Sequence, residues 1–133
     1  QIRDFGKVKL FKSLNPRYKD GEQMRDFIYI KDAVDMTLYF LEHKHLAGIY
    51  NVGAGKARTW NELVTALFKA MGKPVNIEYI DLPGHLEDKY QYFTEANLKK
   101  LKAAGYNTVI SSLEDGVSDY VKNYLLGKLY LGM

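Results

Sequence analysis

The sequence predicts an α/β unit in which helices pack on a small sheet. Two patterns carry that expectation. Short runs rich in β-branched and aromatic residues recur along the chain, and between them lie apolar stripes at helical spacing, several with a capping residue or a closing glycine. Composition agrees. Of 133 residues, 47% are hydrophobic and 26% charged, ordinary for a globular domain and unlike a disordered, collagen-like or coiled-coil chain. At this length a single domain over residues 1–133 is expected, burying roughly two-thirds of its unfolded surface.

The elements read in order as follows. Lys7, Val8, Lys9 and Leu10 alternate charged and apolar side chains and end on Phe11, the pattern of a half-exposed strand. Asn15-Pro16 and Asp20-Gly21 make residues 12–24 a loop. Asp26-Phe27-Ile28-Tyr29-Ile30 reads as a strand, and a helix is expected over residues 31–43, with Val34, Leu38 and Leu41 at helical spacing. Residues 48–52 form the next expected strand, closed by Gly53-Ala54-Gly55. Thr59-Trp60-Asn61-Glu62 has the spacing of a capping box. Leu63, Val64, Leu67, Phe68 and Met71 continue it as one apolar stripe, which Gly72 stops.

Val75, Ile77 and Tyr79 then alternate with Asn76 and Glu78 as a strand. Pro83-Gly84 opens a loop that runs to about residue 93. Thr94 is placed to cap a short helix holding Leu98 and Leu101 and stopped at Gly105. Ser111-Ser112-Leu113-Glu114 offers a second capping box. It leads into a last helix striped by Leu113, Val117, Tyr120, Val121, Tyr124 and Leu125.

Charge and composition narrow the function classes. Nineteen Lys and Arg against sixteen Asp and Glu give +3, too mild for a nucleic-acid partner. No apolar run reaches the roughly 18 residues of a membrane-spanning helix, so no membrane partner is expected. The absence of cysteine excludes disulfides, thiolate zinc sites and a cysteine nucleophile, and it fits a reducing compartment. The start, Gln1-Ile2-Arg3-Asp4-Phe5, is neither an initiator methionine nor a signal peptide, and reads as a chain cut from a longer one.

No self-contained active site emerges. The chain lacks a Gly-x-Gly-x-x-Gly fingerprint, a Gly-x-x-x-x-Gly-Lys phosphate loop and a Gly-x-Ser-x-Gly elbow. No metal is expected, because His43, His45 and His85 lack ligand spacing and the first two fall at a helix C-terminus, where a cation is favoured anyway. Gly53-Ala54-Gly55 links a strand to a helix as a phosphate loop does, but with two glycines it reads better as a turn needing positive φ.

Two features stay open at this level. Arg25 is either a solvated arginine or partner of Asp26, or a bidentate phosphate ligand at the mouth of the sheet, with Lys9 and Lys12 adding positive potential. Lys89-Tyr90-Gln91-Tyr92 either packs on the surface or stacks on a base or sugar. The eleven tyrosines suit half-buried strands and polar pockets alike.

Three blocks resemble a known family. Arg25-Asp26-Phe27-Ile28-Tyr29-Ile30-Lys31-Asp32-Ala33-Val34 is similar to the Arg-Asp-Phe-Val-Tyr-Val-x-Asp-Val segment of the extended short-chain dehydrogenase/reductases, the nucleotide-sugar epimerases and dehydratases. Asn51-Val52-Gly53-Ala54-Gly55 with Thr59-Trp60-Asn61-Glu62-Leu63 resembles their Asn-x-Gly-x-Gly and Ser/Thr-x-x-Glu-Leu segment. Residues 89–98, 101–106 and 113–120 resemble the C-terminal part of the branch acting on ADP-activated heptoses.

The resemblance implies the C-terminal substrate-binding portion of such an enzyme, without its N-terminal Rossmann domain. That domain carries the glycine fingerprint, NADP and a Tyr-x-x-x-Lys pair, so no catalytic and no cofactor-binding residue is expected here. Tyr124 and Lys128 repeat the spacing by chance, in a terminal helix. The implied reaction is transient oxidation at carbon 6 of an ADP-heptose and hydride return to the other face, in the cytoplasm, on the way to lipopolysaccharide inner core. Carried over residue by residue, Phe11, Lys12 and Ser13 match the substrate-binding loop after the first strand. Arg25 matches the arginine at the diphosphate, and Tyr90 the substrate-contacting tyrosine. The loop of residues 13–24 is longer than in some members. Implied partners are the ADP-sugar, the chain's own Rossmann domain and further copies in a homo-oligomer. Another extended-family epimerase or dehydratase, and a non-catalytic α/β binding module, are the alternatives.

Overall fold

The structure is a computed structural model that describes residues 1–127 and 129. In chain order the elements are α1 (Ile2–Phe5), β1 (Val8–Phe11), β2 (Met24–Asp26), α2 (Ile30–Glu42), β3 (Ala57–Thr59) and α3 (Trp60–Ala70). They continue with β4 (Ile77–Ile80), a 3-10 turn (Gly84–Lys89), α4 (Lys99–Ala103) and α5 (Leu113–Tyr120), which runs into a π-turn (Val121–Leu125). The architecture is α/β, but the strands make two separate pairs rather than one sheet. β1 and β4 run parallel, with Val8 beside Ile77 and Phe11 beside Ile80. β2 and β3 run antiparallel, with Arg25 opposite Arg58. That like-charged pairing is relieved because Arg58 turns to Glu62 (3.0 Å) and Glu114.

Two apolar clusters hold these layers. Val64 and Phe68 of α3 pack with Ile2 against Val8, Leu10 and Ile77 of the parallel pair, and Phe68 is fully buried. Met36 of α2 packs with Leu98, Leu101 and Tyr106, supported by Tyr39, Phe40 and Tyr50. The α3 stripe behaves as its spacing predicts, and its start is fixed locally. Thr59 accepts the Glu62 N–H (3.1 Å) while Glu62 accepts the Thr59 N–H (2.7 Å), satisfying two first-turn donors.

Other expectations need correction. The strand expected at residues 26–30 lies at Met24–Asp26 and α2 already begins at Ile30, because pairing extends only as far as the three-residue β3. Residues 48–52 form no strand. Their groups are engaged otherwise: Lys100 Nζ donates to the Ile49 carbonyl (2.8 Å) and sits 4.4 Å over the Tyr50 ring, and Asn51 donates to the Asn97 carbonyl (3.1 Å). Thr94 caps no helix. Its N–H is bound to the Met24 carbonyl (3.3 Å), and Asn97 Oδ1 accepts the Lys99 N–H (3.0 Å) at the start of α4.

The second capping pair is displaced by one residue. Ser112 caps α5 by accepting the Asp115 N–H (3.1 Å), which frees Ser111 to bond Asp32 and Glu114 to pair with Arg58. The short α1 had no sequence signature. On α2, Val34, Leu38 and Leu41 are 46%, 48% and 62% exposed, so the stripe that marks the helix is not the face it buries. Of the Tyr124 and Lys128 pair, Lys128 lies outside the described residues.

A polar tie joins the start of α2 to α5. Lys31 Nζ donates to Asp119 (2.8 Å), the Tyr29 hydroxyl donates to the same carboxylate, and Asn123 donates to its other oxygen (2.7 Å). Lys31 first, then Tyr29, hold the Asp119 carboxyl at about 2, below its ordinary 3.8. Burial, reinforced by Asp119, pushes the Tyr29 phenol up to about 12. A carboxylate with a depressed folded value stabilises the fold above its ordinary value, here about pH 4, and loses that contribution as pH falls through about 2. Asp119→Asn is therefore expected to flatten the stability profile between about pH 4 and 2 in acid-unfolding experiments. An acid limb identical to that of the parent protein would contradict the tie.

Candidate functional site

The C-terminal end of β1, β2 and the segment after the 3-10 turn converge on one place. Phe11 closes β1. Its ring meets Tyr90 edge-on at 6.4 Å. Tyr90 continues into Tyr92 (5.2 Å) and Tyr18 stacks on Tyr92 (5.6 Å), so four aromatic rings stand in a row. The segment bearing Tyr90 is fastened to β2 by Met24 N–H to the Tyr92 carbonyl (2.9 Å) and Thr94 N–H to the Met24 carbonyl (3.3 Å).

Arg25 lies across this wall, its guanidinium carbon 5.5 Å from the centre of the Tyr90 ring. It donates to the Met24 carbonyl (2.8 Å) and to the Gln91 carbonyl. Both acceptors are neutral, and among the described residues it forms no ion pair. Pairing with Asp26, one of the readings the sequence left open, is absent, since Asp26 bonds backbone amides elsewhere. A guanidinium has five N–H donors, so an oriented and unneutralised cation remains to meet an anion. Burial pushes the Tyr90 phenol up, against the opposing pull of Arg25.

Of the five residues singled out in the sequence, Phe11, Arg25 and Tyr90 come together and two turn elsewhere. Lys12 Nζ pairs with Asp81 (2.9 Å), which raises the ammonium above its ordinary value. The Ser13 hydroxyl is bound within its own turn, to the Asn15 carbonyl (2.9 Å) and N–H (3.2 Å), and its backbone N–H reaches Asp20 (2.8 Å). Lys9 leans toward Glu78 (3.8 Å).

Two residues beneath the site were not singled out. Gln23 is 1% exposed and donates to the Phe11 carbonyl (3.3 Å), leaving its Oε1 unpartnered, and Trp60 Nε1 is buried without a well-aligned acceptor. A lone tryptophan inside a capping motif was the one available sign of the second; for Gln23 there was none. The assembly offers one fixed cation and a row of π-faces, which is equipment for binding a charged ligand with a flat group.

The Gly53-Ala54-Gly55 loop has the positive φ expected of a turn, at Gly55 (70°). Its amides do not face solvent as a phosphate cradle. Ala54 and Gly55 donate to the Asp26 carboxylate, so the loop's anion is supplied from within the chain.

Comparison with known proteins places the chain among sugar-nucleotide enzymes by similarity. Residues 2–53 match the family model described as the NAD dependent epimerase/dehydratase family. Over 125 residues, 94% of its length, the chain is 53% identical to an ADP-L-glycero-D-manno-heptose-6-epimerase of Nitratidesulfovibrio vulgaris, and it spans 39% of that relative. The crystal structure of the Helicobacter pylori ADP-L-glycero-D-manno-heptose-6-epimerase superposes with a TM-score of 0.72 at 30% identity, over 92% of this chain and 34% of that one. A Thermus thermophilus UDP-glucose 4-epimerase in complex with NAD superposes with a TM-score of 0.63 at 26% identity, over 84% and 33%. With the Arg25–Val34 and Asn51–Leu63 blocks seated on this fold, the chain is similar over nearly its whole length to part of the ADP-L-glycero-D-manno-heptose-6-epimerases, and over residues 2–53 to the NAD dependent epimerase/dehydratase family.

Proposed function

We propose that this chain is the substrate-binding part of an ADP-glycero-manno-heptose 6-epimerase, holding the ADP-sugar while the chemistry at carbon 6 proceeds against a segment of the protein outside it. The observation that carries the reading is Arg25, a guanidinium held by neutral carbonyls over the Tyr90 ring. In this reading Arg25 grips the diphosphate, Tyr90 and Phe11 contact the ligand's ring systems, and Lys12 and Ser13 form the rim beside them. The choice of heptose is supported by the 53% identity to a protein of that name.

A nicotinamide cofactor belongs with the family by description. The residues present do not form a site for one: the glycine fingerprint is missing, and the glycine loop's amides are spent on Asp26. We therefore assign NADP to an upstream Rossmann domain, which would also cover the exposed apolar stripe of Ile30, Val34, Leu38 and Leu41 on α2. Function in the cytoplasm, in heptose supply for lipopolysaccharide and as a homo-oligomer, completes the reading. No helix among the described residues is long and apolar enough to cross a membrane.

The division of labour is testable on the chain as it stands. Fluorescence titration with NADPH is expected to show no saturable binding and the chain no epimerase activity. A micromolar dissociation constant for NADPH would contradict the assignment.

A further inference from the structure

The carboxylate of Asp26 is a heavily bonded acceptor near the site, and its hydrogen bonds go to none of the residues of the aromatic wall. It accepts N–H groups from Ala54, from Gly55 (3.0 Å) and from Ala96 (2.8 Å). Three chain segments therefore meet on one side chain: β2, the glycine loop, and the stretch that carries Tyr90. The joint leaves no spare room. A Cβ on Gly53 would lie 2.4 Å from the Ala96 Cβ and 3.1 Å from Asp26 Oδ2, so only glycine lets the loop close on the carboxylate. Beside it, Glu95 accepts the Ala57 N–H (2.9 Å), so the same stretch is also fixed to β3.

Successive side chains of a strand point to opposite faces. With Asp26 locked on one face of β2, Arg25 is committed to the other, where its acceptor Gln91 and its aromatic neighbour Tyr90 belong to the very segment that Asp26 holds through Ala96. We infer that Asp26 is a positioning residue for substrate binding: seated in the amides of Ala54, Gly55 and Ala96, it sets Arg25 and Tyr90 in register for the diphosphate without touching the ligand. The inference rests on the substrate-binding reading of Arg25. Asparagine would keep one acceptor oxygen and turn an NH2 donor toward N–H groups, so the cradle would no longer close on it.

The test uses the full-length enzyme, with Asp26→Asn, Arg25→Ala and the double variant assayed for KM and kcat toward the ADP-sugar and for bound cofactor. Asp26→Asn is expected to raise KM by about tenfold, with kcat within about twofold and cofactor occupancy unchanged. Combined with Arg25→Ala it should add clearly less than its own tenfold, because the arginine it would displace is no longer there and only the displacement of Tyr90 remains. Effects that multiply, or a lowered melting temperature with unchanged KM, would make Asp26 a fold residue only and overturn the proposal.

Gly53→Ala, which presses on the same joint from the other side, is expected to reproduce the KM increase and serves if Asp26→Asn does not fold. Failure of both variants to fold overturns the positioning role as well. An Arg25→Ala enzyme with unchanged KM contradicts the functional reading itself. An impaired Arg25→Ala enzyme beside an unimpaired Asp26→Asn removes only the positioning role.

Discussion

Arg25→Ala is expected to raise the KM of the full-length enzyme for its ADP-sugar by about one to two powers of ten, leaving cofactor occupancy normal. The size follows from losing a charge-assisted hydrogen bond, about 1.5–3 kcal/mol. Two features make the full value reasonable here. The guanidinium is already oriented, by the Met24 and Gln91 carbonyls and the Tyr90 ring, so little ordering is left for the ligand to impose. Nor does any ion pair among the described residues have to break before an anion binds. Arg25→Lys should recover only part of the affinity, because the charge returns without the planar fork. A purely structural arginine would behave otherwise: its loss would lower the melting temperature and leave KM nearly unchanged. Measuring both quantities on one variant separates the two.

The largest loss of stability is expected at Phe68. Its ring is fully buried between α3 and the parallel pair, against Ile2 and Val64 with Leu10 and Ile77 around them. Truncating such a ring removes its transfer free energy and leaves a cavity, together about 3–5 kcal/mol. Against a typical domain stability of about 5–15 kcal/mol, Phe68→Ala should shift the denaturation midpoint strongly or leave no folded population. Phe5→Ala, at a ring 73% exposed, should change stability by no more than about 0.5 kcal/mol. A Phe68→Ala loss under about 1 kcal/mol would mean that α3 does not rest on the sheet as described.

These residues differ in how much of their role was legible in the sequence. The Thr59–Glu62 capping box and the α3 stripe are local: cap, first-turn acid and apolar face lie within a dozen positions, and the structure has all three. β2 was misplaced because its bounds depend on β3 and on the Tyr92–Thr94 segment, which no local pattern announces. Residues 48–52 have a strand-like composition but no ladder partner; instead Lys100 of α4 donates to the Ile49 carbonyl and the Asn51 side chain donates to the Asn97 carbonyl. The stripe on α2 was read correctly as a helix signal, yet it faces outward, since periodicity shows which face is apolar and not what covers it.

The site divides along the same line. Arg25 and its acceptor Gln91 are 66 residues apart, a pairing no local pattern announces; the family resemblance named Arg25 and Tyr90 for one site without the Gln91 contact. Lys12 was read as free positive potential because its partner, Asp81, lies 69 residues away. Asp26 was weighed only as a neighbour of Arg25. Its actual partners are backbone amides, which carry no residue-type signal at all.

As proposed, this chain holds an ADP-heptose for inversion at carbon 6. The most direct measurement supplies ADP-glycero-manno-heptose to the full-length enzyme and follows the carbon-6 configuration by NMR, for the parent protein and for Arg25→Ala. Inversion is expected from the parent, and from the variant once substrate concentration is raised. No inversion by a cofactor-loaded parent at any substrate concentration, or variant kinetics indistinguishable from the parent's, would contradict it.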